Sequence, residues 1–190
     1  TNGILHLLAL ANEVGIKLTY DDFERIRKKT PHIADMKPGG GYVMNSLDKI
    51  GGIPLIMKKL LDNNLVHGNV LTVTGKTIEE NIRQYKVSST SDQQIVREIE
   101  NPLHGVGTAV ILKGTLAPEG AVIKTAGVEM TKFTGKARVF DGEESAFDSV
   151  AKGEINEGDV LVIRYEGPKG GPGMREMLAT TAAIVGQGLG

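Results

Sequence analysis

A chain of 190 residues, 40% of them hydrophobic and 24% charged, is long enough to bury a core and too apolar to be disordered. Its 22 Lys and Arg against 23 Asp and Glu give a formal net charge of -1, which provides no field for nucleic acid or anionic lipid; neither nucleic acid nor membrane is expected as a partner. The absence of cysteine excludes disulfides, a thiol nucleophile and thiolate ligands for zinc or an iron–sulfur cluster from this chain, and no apolar run approaches the roughly 20 residues that span a bilayer, so the expected location is cytoplasmic.

Apolar residues at Ile4, Leu5, Leu7, Leu8, Leu10, Ala11 and Val14 recur at helical spacing, with Asn2 to begin a helix and Gly15 to end it. Thr19 followed by Asp22 resembles a capping box and opens a second, short helix with Phe23 and Ile26, ending near Pro31. His32 to Pro38 reads as extended, followed by the Gly39-Gly40-Gly41 run. Two further helices are predicted over Tyr42 to Ile50 and Ile53 to Asn63, the second tolerating Pro54 in its first turn and stopping at Asn63-Asn64.

From about Leu65 the pattern changes. Val70 to Val73 reads as a strand, and Thr77 with Glu80 three residues on caps a short helix to Tyr85. Ser88-Ser89-Thr90-Ser91 is a polar connection, and β-type runs follow at Ala109 to Leu112, Ala121 to Lys124, Ala137 to Phe140 and Val160 to Tyr165. A helix over Glu143 to Lys152, with Asp141 as its expected cap and Gly153 as its stop, interrupts them. Short strands with glycine at the corners suit a closed, barrel-like sheet, because closure removes exposed edges.

The most unusual stretch, Glu166-Gly167-Pro168-Lys169-Gly170-Gly171-Pro172-Gly173-Met174-Arg175-Glu176-Met177, lies between the last strand and a helix. Glycine there lets backbone approach a ligand, and a helix N-terminus favours anions; Glu176 is expected in the first turn. A structural turn with an acid suited to the helix dipole explains the same residues. The pattern is neither a phosphate-binding loop of the Walker type nor a dinucleotide fingerprint. His6, His32, His67 and His104 lie far apart with no pair at ligand spacing, so a histidine zinc site is not expected. His6 reads as a packed histidine, His104 as a loop contact or phospho-acceptor, and Lys37 as an anion contact or a solvated lysine. No serine has the nucleophile-elbow context.

With these motifs placed, the chain resembles the dihydroxy-acid dehydratase and 6-phosphogluconate dehydratase family along nearly its whole length. The resemblance is carried by Thr1-Asn2 with the helix Ile4 to Ala11, Leu18-Thr19 with Asp21-Asp22-Phe23, and Ala34 to Pro38. It continues through Gly51 to Pro54, Leu116 to Lys124, Phe140 to Glu143, and Tyr165 to Pro168 onward to Glu176. Gly39-Gly40, where relatives often carry a serine, departs from the pattern and weakens a substrate contact by that loop.

The resemblance implies a hydro-lyase that converts a 2,3-dihydroxy acid to a 2-keto acid in branched-chain amino-acid biosynthesis, with an iron–sulfur cluster and Mg²⁺ as cofactors. It makes Glu176 a magnesium ligand. It puts the cluster cysteines and the other metal ligands in an N-terminal region this chain lacks, and the catalytic serine downstream of Gly190. The implied fold is α/β: residues 1–65 as the helical tail of an N-terminal α/β domain, and 66–190 as a swivelling β/β/α barrel-like domain, truncated at its C-terminus. The full enzyme would be a homodimer with its site between the domains. Thr1-Asn2-Gly3 running straight into a helix, and the tail-less end Val185 to Gly190, fit a piece of such an enzyme. Two alternatives stand beside this reading: a sugar-acid dehydratase of the same family, and a non-catalytic swivelling domain that binds a phosphate or a partner through His104 or the Gly167 to Gly173 segment.

Overall fold

In the computed structural model the described residues are 2–85, 93–128, 132–167 and 177–189. The elements in chain order are α1 (Asn2–Glu13), α2 (Tyr20–Lys29), α3 (Met44–Lys49), α4 (Gly52–Asp62), α5 (Ile78–Gln84), β1 (Ala109–Leu112), β2 (Ala121–Lys124), β3 (Lys136–Phe140), α6 (Glu143–Ala151), β4 (Asp159–Ile163) and α7 (Leu178–Gly186). They fall into two compact units, one of residues 20–128 and the other of 1–19 with 129–190. The expected polar connection at 88–91 lies outside the described residues.

In the unit of residues 20–128, the extended stretch after α2 threads the core. Single bridges join Ala34 to Val96, Met36 to Tyr42 and His32 to His104, so each backbone group in turn finds a different partner. Ile33, Leu47, Ile50, Leu55, Ile95 and Val96 form the buried cluster, with Met36, Tyr42, Ile56, Leu60 and Ile99 packed around it. Pro54 sits in the first turn of α4 where its missing N–H is harmless, and Asn63 and Asn64 end the helix, Asn64 at a φ of 57°. β1 and β2 pair antiparallel with Val110 opposite Ile123.

The strand expected at Val70 to Val73 does not form. Leu71 makes one bridge to Thr77, and Thr72 turns its hydroxyl inward, donating to the Lys76 carbonyl at 2.8 Å and accepting from Asn81 Nδ2 at 2.8 Å. Thr74 also accepts from Asn81, at 2.9 Å, so side-chain bonding replaces a ladder here. The cap expected at Thr77 is present as a complete capping box with Glu80, whose carboxyl is held below its usual range by the Thr77 backbone N–H.

In the other unit, α1 ends where Gly15 takes a φ of 69° and Ile16 N–H donates to the Ala11 carbonyl at 2.8 Å, a Schellman closure. β3, α6 and β4 form a parallel βαβ unit with Val139 opposite Val162. Ala146 and Val150 of α6 are fully buried, and α7 packs on α6, with Gln187 Nε2 donating to the Val150 carbonyl at 2.5 Å. The fold is thus mixed α and β, with the described strands in two separate two-stranded sheets.

Candidate functional site

Parallel strands in α/β proteins present ligands at their carboxyl ends, where the βα loops gather. β3 and β4 end side by side at Phe140 and Ile163. Asp141, Gly142 and Glu143 follow the end of β3, and Arg164, Tyr165 and Glu166 follow the end of β4.

Arg164 binds this edge together. Its N–H donates to the Phe140 carbonyl at 2.8 Å, and its Nε and Nη2 donate to Asp141 Oδ1 at 2.7 and 2.5 Å. The Asp141 carboxylate raises the Arg164 guanidinium above its ordinary pKa, and the guanidinium carbon lies 5.1 Å from the centre of the Tyr165 ring. Tyr165 has a φ of 67°, a conformation that residues other than glycine seldom adopt.

Asp141 therefore does not cap α6. Gly142 holds the N-cap position and has no side chain to cap with, while the preceding Asp141 carboxylate accepts from Arg164. Glu143, 8% exposed, and Glu144 fill the first turn of α6, where the helix dipole favours acids. They line an open groove of about 270 Å³ with Phe147, Asp148 and Ala179. At the start of α7, Thr180 is 3% exposed and its hydroxyl has no hydrogen-bond partner among the described residues.

Glu176, the expected magnesium ligand, lies outside the described residues, as does the glycine run before it. Among the described residues no group of three or more His, Asp or Glu could hold a metal ion. No described helix is long and apolar enough to cross a membrane.

The structure brings His32 and His104 together, which their separation in sequence hides. Their rings stack with centroids 5.3 Å apart and planes 15° from parallel, and His32 N–H donates to the His104 carbonyl at 2.9 Å. His32 Nε2 donates to the Ala34 carbonyl at 2.9 Å, and its buried Nδ1 has no hydrogen-bond partner among the described residues. Stacked faces do not converge nitrogens on a shared ligand, so the pair is a packing element. His6 and His67 are exposed.

Lys37 is exposed, with its N–H donating to the Tyr42 carbonyl at 2.7 Å. Asp35 Oδ1 accepts from Gly41 N–H at 3.0 Å, folding the glycine run back over the Asp35 backbone. A Cβ on Gly40 would stand 2.2 Å from Asp35 Oδ1 and 2.6 Å from the Asp35 carbonyl carbon, so no side chain fits at that position. The absence of the serine expected from relatives thus agrees with the packing of this loop.

The βαβ unit with its polar carboxyl edge, together with a separate antiparallel pair, makes this a mixed α/β protein. The family model for the dihydroxy-acid/6-phosphogluconate dehydratase C-terminal region matches residues 94–190, and that for the N-terminal region matches residues 1–81. The chain belongs to the dihydroxy-acid/6-phosphogluconate dehydratase family. It is 60% identical over 189 residues to the dihydroxy-acid dehydratase of Saccharolobus solfataricus, 59% identical over 189 residues to that of Sulfolobus acidocaldarius, and 60% identical over 190 residues to that of Metallosphaera sedula. In each case 100% of this chain aligns with 34% of the relative, so the chain spans about a third of the length of the curated relatives it matches.

Proposed function

We propose that this chain is part of a hydro-lyase that converts a 2,3-dihydroxy carboxylic acid to the corresponding 2-keto acid and water, in branched-chain (valine and isoleucine) amino-acid biosynthesis. The observation that carries the reading is the 60% identity, over all of this chain, to proteins named dihydroxy-acid dehydratase. The reaction removes a proton from C2 and hydroxide from C3, and the resulting enol tautomerises to the ketone. The proton is taken by a general base of the whole enzyme.

The cofactors of the reading are an iron–sulfur cluster and Mg²⁺. When bound they supply Lewis acidity toward the leaving hydroxyl and the oxygens of the acid. A hard cation takes carboxylate oxygen, the donor that Glu176 offers, and with no cysteine this chain has no cluster ligand to give. The remaining ligands belong to the rest of the enzyme. A cytoplasmic homodimer, a division at residues 1–65 and 66–190, and a swivelling, barrel-like second part complete the reading. The family description also names 6-phosphogluconate dehydratase, which keeps a sugar acid as the second substrate.

The test uses the full-length enzyme, purified without oxygen and assayed with a branched 2,3-dihydroxy acid against a sugar acid, with iron content measured. Iron-containing enzyme that prefers the branched acid, and that loses turnover at least about tenfold in Glu176→Ala with an altered Mg²⁺ requirement, supports the reading. Unchanged turnover and Mg²⁺ requirement in Glu176→Ala would remove Glu176 from the metal site, and preference for the sugar acid would move the protein to the other branch of the family.

A further inference from the structure

α1 is apolar nearly all round: between Gly3 and Ala11 its one polar side chain is that of His6. A helix of that kind packs inside a protein. Yet Ala11 alone among its described residues is buried. Next to it run Leu7, Leu10 and, just past the helix end, Val14, a stripe at helical spacing that is 51%, 63% and 64% exposed. Among the described residues no element packs extensively on α1. So contiguous an apolar stripe marks a face that something covers.

The family match says what covers it. Residues 1–81 match the N-terminal region of the dehydratases, which puts α1 in one region with α3 and α4. The buried cluster built on α3 and α4 nonetheless includes no residue of α1. A folded region has one contiguous core, so the stripe must pack against N-terminal sequence that this chain does not contain. Only 34% of each relative aligns with this chain, leaving about two thirds of the enzyme to supply that partner. A second copy fits less well, because α1 has almost no polar residues to form the rim of a subunit interface. We propose that the Leu7, Leu10 and Val14 stripe is a core face of the enzyme's N-terminal region, covered in the full-length protein by the remainder of that region. This holds whichever reaction the enzyme performs.

Hydroxyl-radical footprinting of the full-length enzyme reads side-chain access at the three positions. Labelling follows exposed area, so burial should slow it about fivefold or more relative to the same enzyme unfolded in urea. Leu10→Asn should lower the melting temperature by about 5 °C or more without changing the oligomeric state, while Leu10→Met, which keeps volume and apolarity, should lower it much less. Labelling at the unfolded rate overturns the proposal, and so does a Leu10→Asn enzyme that melts with the parent. A Leu10→Asn enzyme that runs as a smaller oligomer gives the stripe to a second copy, which overturns it too. Should Leu10→Asn fail to fold, the parent decides by dilution. Slow labelling that persists as the enzyme is diluted supports cover by its own chain, and labelling that speeds up as subunits separate overturns it.

Discussion

Glu24 and Arg27 meet one turn apart on α2 in a two-pronged pair, Arg27 Nη2 at 2.6 Å from Oε1 and Nε at 2.9 Å from Oε2. The pair reaches beyond its helix: Arg27 Nη1 donates to the Gly107 carbonyl at 3.1 Å, and Ile111 N–H of β1 donates to Glu24 Oε2 at 3.4 Å. It thereby joins α2 to the antiparallel sheet, and both side chains are largely shielded, at 15% and 22% exposed.

The bond to Arg27 gives Glu24 a pH signature. The Arg27 hydrogen bond, helped by the Ile111 N–H and opposed by burial, lowers the Glu24 carboxyl from 4.5 to about 2. A carboxyl depressed in the folded state binds its proton more readily when unfolded, so its contribution is complete above about 4.5 and disappears as pH falls toward about 2. Glu24→Gln should cost about 1–2 kcal/mol at neutral pH and flatten the acid limb of the stability curve, as read by denaturant melts between pH 2 and 7. An unchanged acid limb would remove Glu24 from the acid response.

Gly40→Ala should destabilise by about 1–3 kcal/mol, since the new methyl would overlap Asp35 and Met36 backbone atoms at 2.6 and 2.7 Å. Gly105→Ala is the control, with nothing within 4 Å of its Cβ, and should be within about 0.5 kcal/mol of the parent. Equal melting temperatures for the two variants would show that the 39–41 turn opens at little cost.

Thr77→Ala removes one half of the α5 capping box and should lower stability by about 1 kcal/mol. Circular dichroism and thermal melting report it, and no loss would mean that the Glu80 half alone secures the helix start.

Thr180→Val keeps the shape and the β-branching while deleting a buried hydroxyl without a partner among the described residues, so it should stabilise by about 1 kcal/mol. A lower melting temperature would instead mean that the hydroxyl is bonded in solution.

The features legible in the sequence are those decided locally. The capping box at Thr77 and Glu80, the stop at Gly15 and the runs at 109–112 and 121–124 depend on near neighbours, and each has its expected form. Val70 to Val73 misleads because its β-branched residues suit a strand, yet the nearby Thr74 and Asn81 offer Thr72 a competing set of side-chain bonds. Asp141 has the composition of a cap, but the partner that takes it stands on the next strand, across a helix. The His32–His104 stack likewise arises from a bridge between distant segments, which no periodicity records. Glu176 is singled out by family resemblance and not by pattern, and it lies outside the described residues.

The knot around Asn81 has a bearing on the order of events during folding. Its bonds, from Glu79 N–H to the Gly68 carbonyl through Ile78 N–H to Val70 and Asn81 to Thr72 and Thr74, close within a short span of sequence. Loops of about ten residues close in roughly 10–100 ns, far sooner than long-range pairings such as Arg27 with Gly107. Residues 68–84 should therefore be an early kinetic nucleus, gaining amide protection while the 20–128 unit is still assembling around them.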